Sequence, residues 1–312
     1  MQLEVARATS IVLRTLPFML FRALIWAGVW VCGVAALAIL GFVSLLFGPW
    51  SFWIALGALL ALSGFVGLGS WAWFQLVRLP GAQHMALIVE HAADGLPPAG
   101  LAQVGWAKRR IVDRFESVSA FHSYSKVVGK ALRDMHRRVL GTTVPLPSPE
   151  TDEGANAPAR LVELSMARVE DTIFGFALMG DQDSPYARTE QGVTRYCRHG
   201  RRLLQTSVML TLLSWAAAAG VLVVCLVVLG LIASAVPASW EVARFILFLT
   251  SIFVVAVAKW EVLDAIADTA LLLRFLKTVE SPTSEAEWNA RLERASAAFR
   301  AIKRKAGTLT TR

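Results

Sequence analysis

Four stretches of the chain are apolar for long enough to cross a bilayer, and the segments around them alternate apolar and polar positions at helical spacing. A span needs about 20 mostly apolar residues to cover a hydrocarbon core roughly 30 Å thick. The runs fall at 24–47, 51–74 and 208–233, with a fourth starting near Val242 and running through "FILFLTSIFVVAVA". Only "GPW" separates the first two and "SAVPASWE" the last two, so each pair is predicted to form an antiparallel hairpin, 24–74 and 206–260. The first run is too long for a cleaved signal segment and is followed at once by a second span.

Outside these hairpins the pattern changes to amphipathic helices. Residues 1–23 form an N-terminal amphipathic segment, and "LPGAQHMALIVEHAADG" (79–95) reads as a short helix lying on the membrane surface. Across 101–140, Val104, Ala107, Ile111, Phe115, Val118, Phe121, Val128, Leu132, Met135 and Val139 recur mostly at three- and four-residue steps, with a gap near Ser125. One long helix or two stacked ones would satisfy this. Residues 141–158 hold four of the twelve prolines and an acidic cluster, the composition of a flexible linker. A helix over 159–179 and a basic helix from Ala187 lead into the third span. In the C-terminal segment, 261–312, Ser284 precedes Glu287 at capping-box spacing, and Trp288, Leu292, Ala295, Phe299 and Ile302 form one stripe. That stripe is expected to pack on 101–140 or 159–179.

The predicted fold class is therefore an all-α integral membrane protein. It has four transmembrane helices in two hairpins and a cytoplasmic helical bundle built from the central segment, 75–205, and the C-terminal one. Lys and Arg set the orientation. The short links contain neither, whereas Arg7, Arg14, Arg22, Arg78, Arg188, Arg195, Arg198, Arg201 and Arg202 lie at the other ends of the spans. Both termini and the middle segment are expected in the cytoplasm, and the Ala/Arg/Leu-rich composition points to a bacterial inner membrane.

Composition agrees with a lipid solvent: 55% of the 312 residues are hydrophobic and only 17% charged, with eleven Trp against three Tyr. Mean hydropathy is +0.54. Trp26, Trp53, Trp73, Trp215, Trp240 and Trp260 fall near the ends of spans, where indole rings anchor at the interface. The net charge of +8 follows from basic cytoplasmic loops and gives no reason to expect nucleic acid. Residues 75–205 are nearly balanced, with 17 Lys/Arg against 14 Asp/Glu. Lys108, Arg109 and Arg110, Arg201 and Arg202, and Lys303, Arg304 and Lys305 are candidate contacts for anionic lipid headgroups.

The two hairpins resemble each other. Trp26, Gly41, Pro49, Trp53 and Trp73 match Trp215, Gly230, Pro237, Trp240 and Trp260, as a parallel duplication would produce. Recurrent Trp belts and turn prolines explain the same likeness without one. Within the spans, Gly57–Ala61, Ser63–Gly67 and Ala216–Gly220 are small-residue pairs four apart that let helices approach closely, inside one chain or in a homo-oligomer.

The charges after the fourth run decide between functions. With Trp260 at the interface, the span is 242–260, close to 30 Å, and Glu261, Asp264 and Asp268 form a stripe leaving the membrane. Lys259 then snorkels to the headgroups. Sliding the span to 247–268 instead buries Lys259, Asp264 and Asp268 as a solute pathway. The first placement is preferred, because the other spans offer no charged partner.

Catalytic patterns are lacking. There is no phosphate-binding glycine loop, no G-x-S-x-G and no H-E-x-x-H. His122, Ser123 and Ser125 face different directions on a helix, and Asp181 and Asp183 sit in a linker without a second acidic cluster. His84 and His91 share a face but are too few for a metal. Cys32 and Cys225 lie in apolar runs and Cys197 in a basic one, so neither a disulfide framework nor zinc is expected. No cofactor is implied. The leading expectation is a structural or accessory membrane component whose cytoplasmic helices dock a protein partner. An oligomeric channel or passive transporter for a small solute is the alternative, and a membrane enzyme the third reading.

Overall fold

A computed structural model describes residues 4–48, 50, 53–54, 56–57, 74–138, 157–180, 183–235, 237, 241–279 and 285–310. It is 91% helical and has no strand among the described residues. Helix α1 (Val5–Arg14) turns at Thr15, whose hydroxyl donates to the Val12 carbonyl at 2.8 Å, into α2 (Leu16–Phe47). The apolar helix thus begins at Leu16 rather than 24, with Pro17 in its first turn, where a missing N–H costs nothing.

Among the described residues, three helices are long and apolar enough to cross a membrane, along Leu16–Leu40, Pro185–Ala235 and Arg244–Thr278. This is the composition of a helical membrane protein. Their apolar side chains are bare over one slab: Leu24, Val31 and Ile39 on α2, and further along the chain Val223, Val224 and Leu231. Water would penalise such a surface and lipid would not. The second predicted span and the 141–158 linker lie almost entirely outside the described residues.

Beyond the slab, the chain folds into a bundle. A π-helical turn at Phe74–Arg78 leads into α3 (Leu79–Ala92). The expectation that this helix lies on the membrane surface is corrected. Ala82, Gln83, His84 and every residue from Met85 to Val89 are buried, so it forms the centre of the bundle. An almost uncharged helix satisfies burial on all sides as well as it would a headgroup layer, and the packing decides. Helices α4 (Ala102–Phe115) and α5 (Val118–Arg138) meet at Glu116, which has φ of 63°. The Ser117 hydroxyl then accepts the Ala120 N–H at 3.1 Å, capping α5. The 101–140 pattern is therefore two helices, broken before the gap near Ser125.

Helix α6 (Ala157–Leu178) lies against α7 (Pro185–Ala235), a helix of 51 residues, about 77 Å long at 1.5 Å per residue. The first half of α7 is buried in the bundle and the second half belongs to the apolar slab. Gly192 allows the close approach of α6, since a Cβ there would meet the Phe176 ring at 3.1 Å. Helix α8 (Glu241–Ala258) passes through a second π-helical turn, Lys259–Leu263, into α9 (Asp264–Val279). Helices α10 (Glu285–Ala295) and α11 (Ala297–Thr310) join at Ser296, whose hydroxyl accepts the Phe299 N–H and donates to Asp134 at 2.9 Å. Leu292, Phe299 and Ile302 are fully buried against α5, as expected, and also against the first half of α7.

Candidate functional site

Where the apolar slab meets the bundle, the middle of α6, the second π turn and the start of α9 bring their charges together instead of presenting them to solvent. Arg168, on the buried face of α6, donates from Nη2 to Asp264 Oδ1 at 2.5 Å and from Nη1 to Asp268 Oδ1 at 2.6 Å. Its Nη1 also reaches the Asp264 carbonyl at 3.1 Å, and its Nε the Thr211 hydroxyl at 3.0 Å. Asp264 takes a further hydrogen bond from Ser214 at 2.7 Å and pairs through Oδ2 with Lys259 at 2.7 Å. The Lys259 ammonium lies 4.5 Å above the Trp215 ring. A planar guanidinium suits this arrangement, because its fixed fork serves two carboxylates at once.

A second cluster ties α2 to the same turn. Glu261, 2% exposed, pairs with Arg22 Nε at 2.9 Å and accepts the Trp26 indole N–H at 3.0 Å. Arg22 Nη1 lies 3.4 Å from His84 Nδ1, and His84 Nε2 is 2.8 Å from the Thr15 hydroxyl. Arg22 can only donate, so Nδ1 accepts and the proton sits on Nε2, donated to Thr15, whose own O–H goes to Val12. Burial first and the Arg22 guanidinium second push the imidazole down to about 3, so His84 is neutral. The Phe18 ring stacks on it at 5.5 Å.

These groups edge a cavity of about 720 Å³ between α2, α3, α5, α6 and α9. Its far wall carries Arg78, paired with Glu170 at 2.5 Å and 3.7 Å from Asp171. Gly129 on α5 makes room for this pair, since a Cβ there would lie 2.9 Å from a Glu170 carboxylate oxygen. Phe121, Tyr124, Phe174 and Met85 supply an apolar wall. The Tyr124 hydroxyl is turned away into a 2.6 Å contact with Thr189. Asp171 keeps 39% of its side-chain surface open, and it lines the cavity. Enclosure by the surrounding helices, then the Asp268 carboxylate, push it up to about 8, against the pull of Arg78.

The structure thus gathers Lys259, Asp264 and Asp268 into one network, but their stripe faces the bundle interior and not solvent. Lys259 is directed to Asp264 and Trp215 and not outward to headgroups. The premise that the other spans offer no charged partner is overturned by Arg22, within the extended α2. Trp26 and Trp260 sit side by side, with ring centroids 5.6 Å apart, so with Trp215 they surround this junction. Trp53 is exposed, and Trp73 and Trp240 lie outside the described residues.

Ala216 and Gly220 are exposed, and nothing among the described residues lies within 4 Å of a Cβ built at Gly220 or at Gly57. Helix α7 packs instead through Ser207, Thr211, Ser214 and Ala218, the adjacent stripe. Ala61, Ser63 and Gly67 are outside the described residues. Lys108, Arg109, Arg201, Arg202, Lys303, Arg304 and Lys305 are exposed and Arg110 half-buried. Among them, Lys303 pairs with Glu293, and Lys305 reaches the Tyr186 hydroxyl at 3.2 Å. His91 is half-buried, and the described residues contain no group of three metal-ligating side chains.

Sequence reasoning named Arg22 only for orientation and His84 only as a metal candidate, and it missed Arg168, Glu170 and Asp171. Arg168 did leave a signal, an arginine on the helix face that it shares with Ser165 and Thr172, both buried in α6. Compared with known protein families, curated proteins and solved structures, the chain matches none.

Proposed function

We propose that the protein binds a small polar solute in the charged cavity at the inner end of its spans and passes it across a membrane. In this reading it spans the bacterial cytoplasmic membrane four times in two hairpins, with the bundle and both termini in the cytoplasm. One observation carries it: a cavity of about 720 Å³ edged by charged side chains stands where the apolar helices enter the bundle. That volume falls in the range of small-molecule sites, roughly 300–1,000 Å³. Ionisable groups at such a boundary are expensive to keep and usually mark a pathway.

The docking reading gains nothing from the C-terminal stripe, which packs within the chain as expected. It keeps the loop between α3 and α4, where Leu96 is 97% and Leu101 73% exposed. The outward Ala216–Gly220 pair suits a homo-oligomer, which a passive pathway between protomers would need.

Gly81 provides the test. It lines the cavity, and a Cβ there meets nothing within 4 Å, so Gly81→Trp fills the space without displacing backbone. Proteoliposomes shrunk in a panel of small solutes should re-swell faster than empty liposomes for at least one of them. Gly81→Trp should abolish that difference while leaving thermal unfolding unchanged. Equal swelling with and without the tryptophan would refute the cavity as the route. Loss of a co-purifying protein on Leu96→Ser, with no solute effect, would favour docking.

A further inference from the structure

We propose that the cavity's ligand is an organic ammonium ion, its charge seated against the Asp171 carboxylate and its apolar body against Phe121, Phe174 and Met85. The inference rests on the cavity being a solute site and adds the chemical class. It begins from which charges are already used. Arg168 is taken up by Asp264 and Asp268, Arg22 by Glu261 and Arg78 by Glu170, at 2.5 to 2.9 Å. An anionic ligand would have to compete with one of these pairs or turn to Arg133, an exposed arginine at the edge of the cavity.

Asp171 stands differently. Its nearest cation is Arg78 at 3.7 Å, and that guanidinium is held more closely by Glu170. The carboxylate therefore faces the cavity with acceptor capacity to spare. The lining also includes Phe121 on α5 and Phe174, one turn along α6 from Asp171, with ring centroids 5.3 Å apart. Aromatic faces attract a cation while accepting its hydrocarbon, whereas the negative ring face disfavours a carboxylate. The volume leaves room for a body of about ten heavy atoms, far more than a bare metal ion would need.

The same geometry couples binding to a proton. Asp171 feels Asp268, Arg78, Glu170, Arg168 and Arg22, and the cavity it lines also carries the neutral His84 on α3, Arg133 on α5, Glu163 on its own helix, Glu261 in the second π turn and Asp264 on α9. This surrounding holds its carboxyl protonated at neutral pH, up to about 8. An ammonium entering the cavity takes the place of that proton. The ligand keeps its charge, the carboxyl becomes a carboxylate and one proton leaves to solvent.

The test is titration calorimetry of the full chain in nanodiscs with benzyltrimethylammonium, a cation whose charge does not titrate, and phenylacetate as the anionic counterpart. We expect saturable binding of the cation, lost in Gly81→Trp and weakened about ten-fold or more in Asp171→Asn. Asparagine resembles the protonated carboxyl, so this variant keeps the native unfolding temperature. Affinity should rise up to about ten-fold per pH unit below 8 and level off above it. In two buffers of different ionisation heat, close to one proton should be released per cation bound at pH 7. Binding of phenylacetate in place of the cation, unchanged affinity in Asp171→Asn, or no cation binding at all would overturn the proposal. If Gly81→Trp still blocks solute swelling while the cation fails to bind, the cavity is a route for another class. If it blocks neither, both readings fall.

Discussion

Replacing Arg168 by methionine should destabilise the protein more than any other single change at the junction. Methionine keeps most of the apolar stem and removes the guanidinium, whose side chain is only 8% exposed. Asp264, 20% exposed, would retain Lys259 and Ser214 as partners. Asp268, 17% exposed, would lose the guanidinium that donates to it and keep only the more distant charge of Lys259. Two unit charges about 4 Å apart attract by roughly 4 kcal/mol at the effective dielectric of a protein boundary, but much of that offsets desolvation. The loss on stranding one buried carboxylate is accordingly about 3–5 kcal/mol.

Equilibrium unfolding in mixed micelles, followed by far-ultraviolet circular dichroism, measures this loss. Neutralising the stranded acid should recover a large part of it, so Arg168→Met with Asp268→Asn should be more stable than Arg168→Met alone by about 1–3 kcal/mol. Arg168→Lys, with the charge but without the fork, should fall between wild type and methionine. A loss below about 1 kcal/mol for Arg168→Met, or no rescue by Asp268→Asn, would show that the three side chains are not the coupled unit described.

Other consequences are independent of that network. His84 is depressed from an ordinary value near 6.5 to about 3, so the native state binds fewer protons than the unfolded chain between those limits. Its stabilisation is complete above about pH 6.5 and declines by about 1.4 kcal/mol per unit as pH falls toward 3. His84→Gln should flatten this dependence in pH-resolved thermal unfolding. Gly175→Val should cost about 1–3 kcal/mol, because a Cβ at this position already meets Met85 Sδ at 3.1 Å and Leu272 at 3.4 Å. Phe299→Ala should lower stability by about 3–5 kcal/mol and expose α10 and α11 to limited proteolysis, since the ring is fully buried.

Periodicity made the helices and their inward faces legible. Ile111, Phe115, Phe121, Val128, Leu132 and Met135 are buried as the spacing of apolar residues required. Three of the four apolar runs form long apolar helices. Periodicity reports a helix's own face, however, and not what lies opposite. The acid stripe at Glu261, Asp264 and Asp268 was visible as a stripe, yet its direction was not. Its partners are Arg168, 96 and 100 residues away, and the α2 residues Arg22 and Trp26, the latter 235 residues from Glu261. Likewise α3 has the composition of either a headgroup-layer helix or a central one, and only the neighbours that enclose Leu87 and Ile88 distinguish them. The first half of α7 also receives the C-terminal helices, a contact that spacing along either segment does not display.

The two π-helical turns, Phe74–Arg78 and Lys259–Leu263, stand at the ends of the second and fourth apolar runs, the first directly after Trp73 in sequence and the second containing Trp260. A π turn contains one residue more than the α-helical turn it replaces, and each residue advances a helix by about 100°. The helix emerging on the far side is therefore out of phase with the one that entered. The angular position of a span against lipid and its position inside the bundle are set separately, with the turn as the offset between them. Removing a single residue from Lys259–Leu263 would restore the common phase and swing Asp264 and Asp268 about a quarter-turn off Arg168. Substitutions that rotate the preferred lipid face of α8 can be absorbed at the same five residues, leaving the charge network where it is.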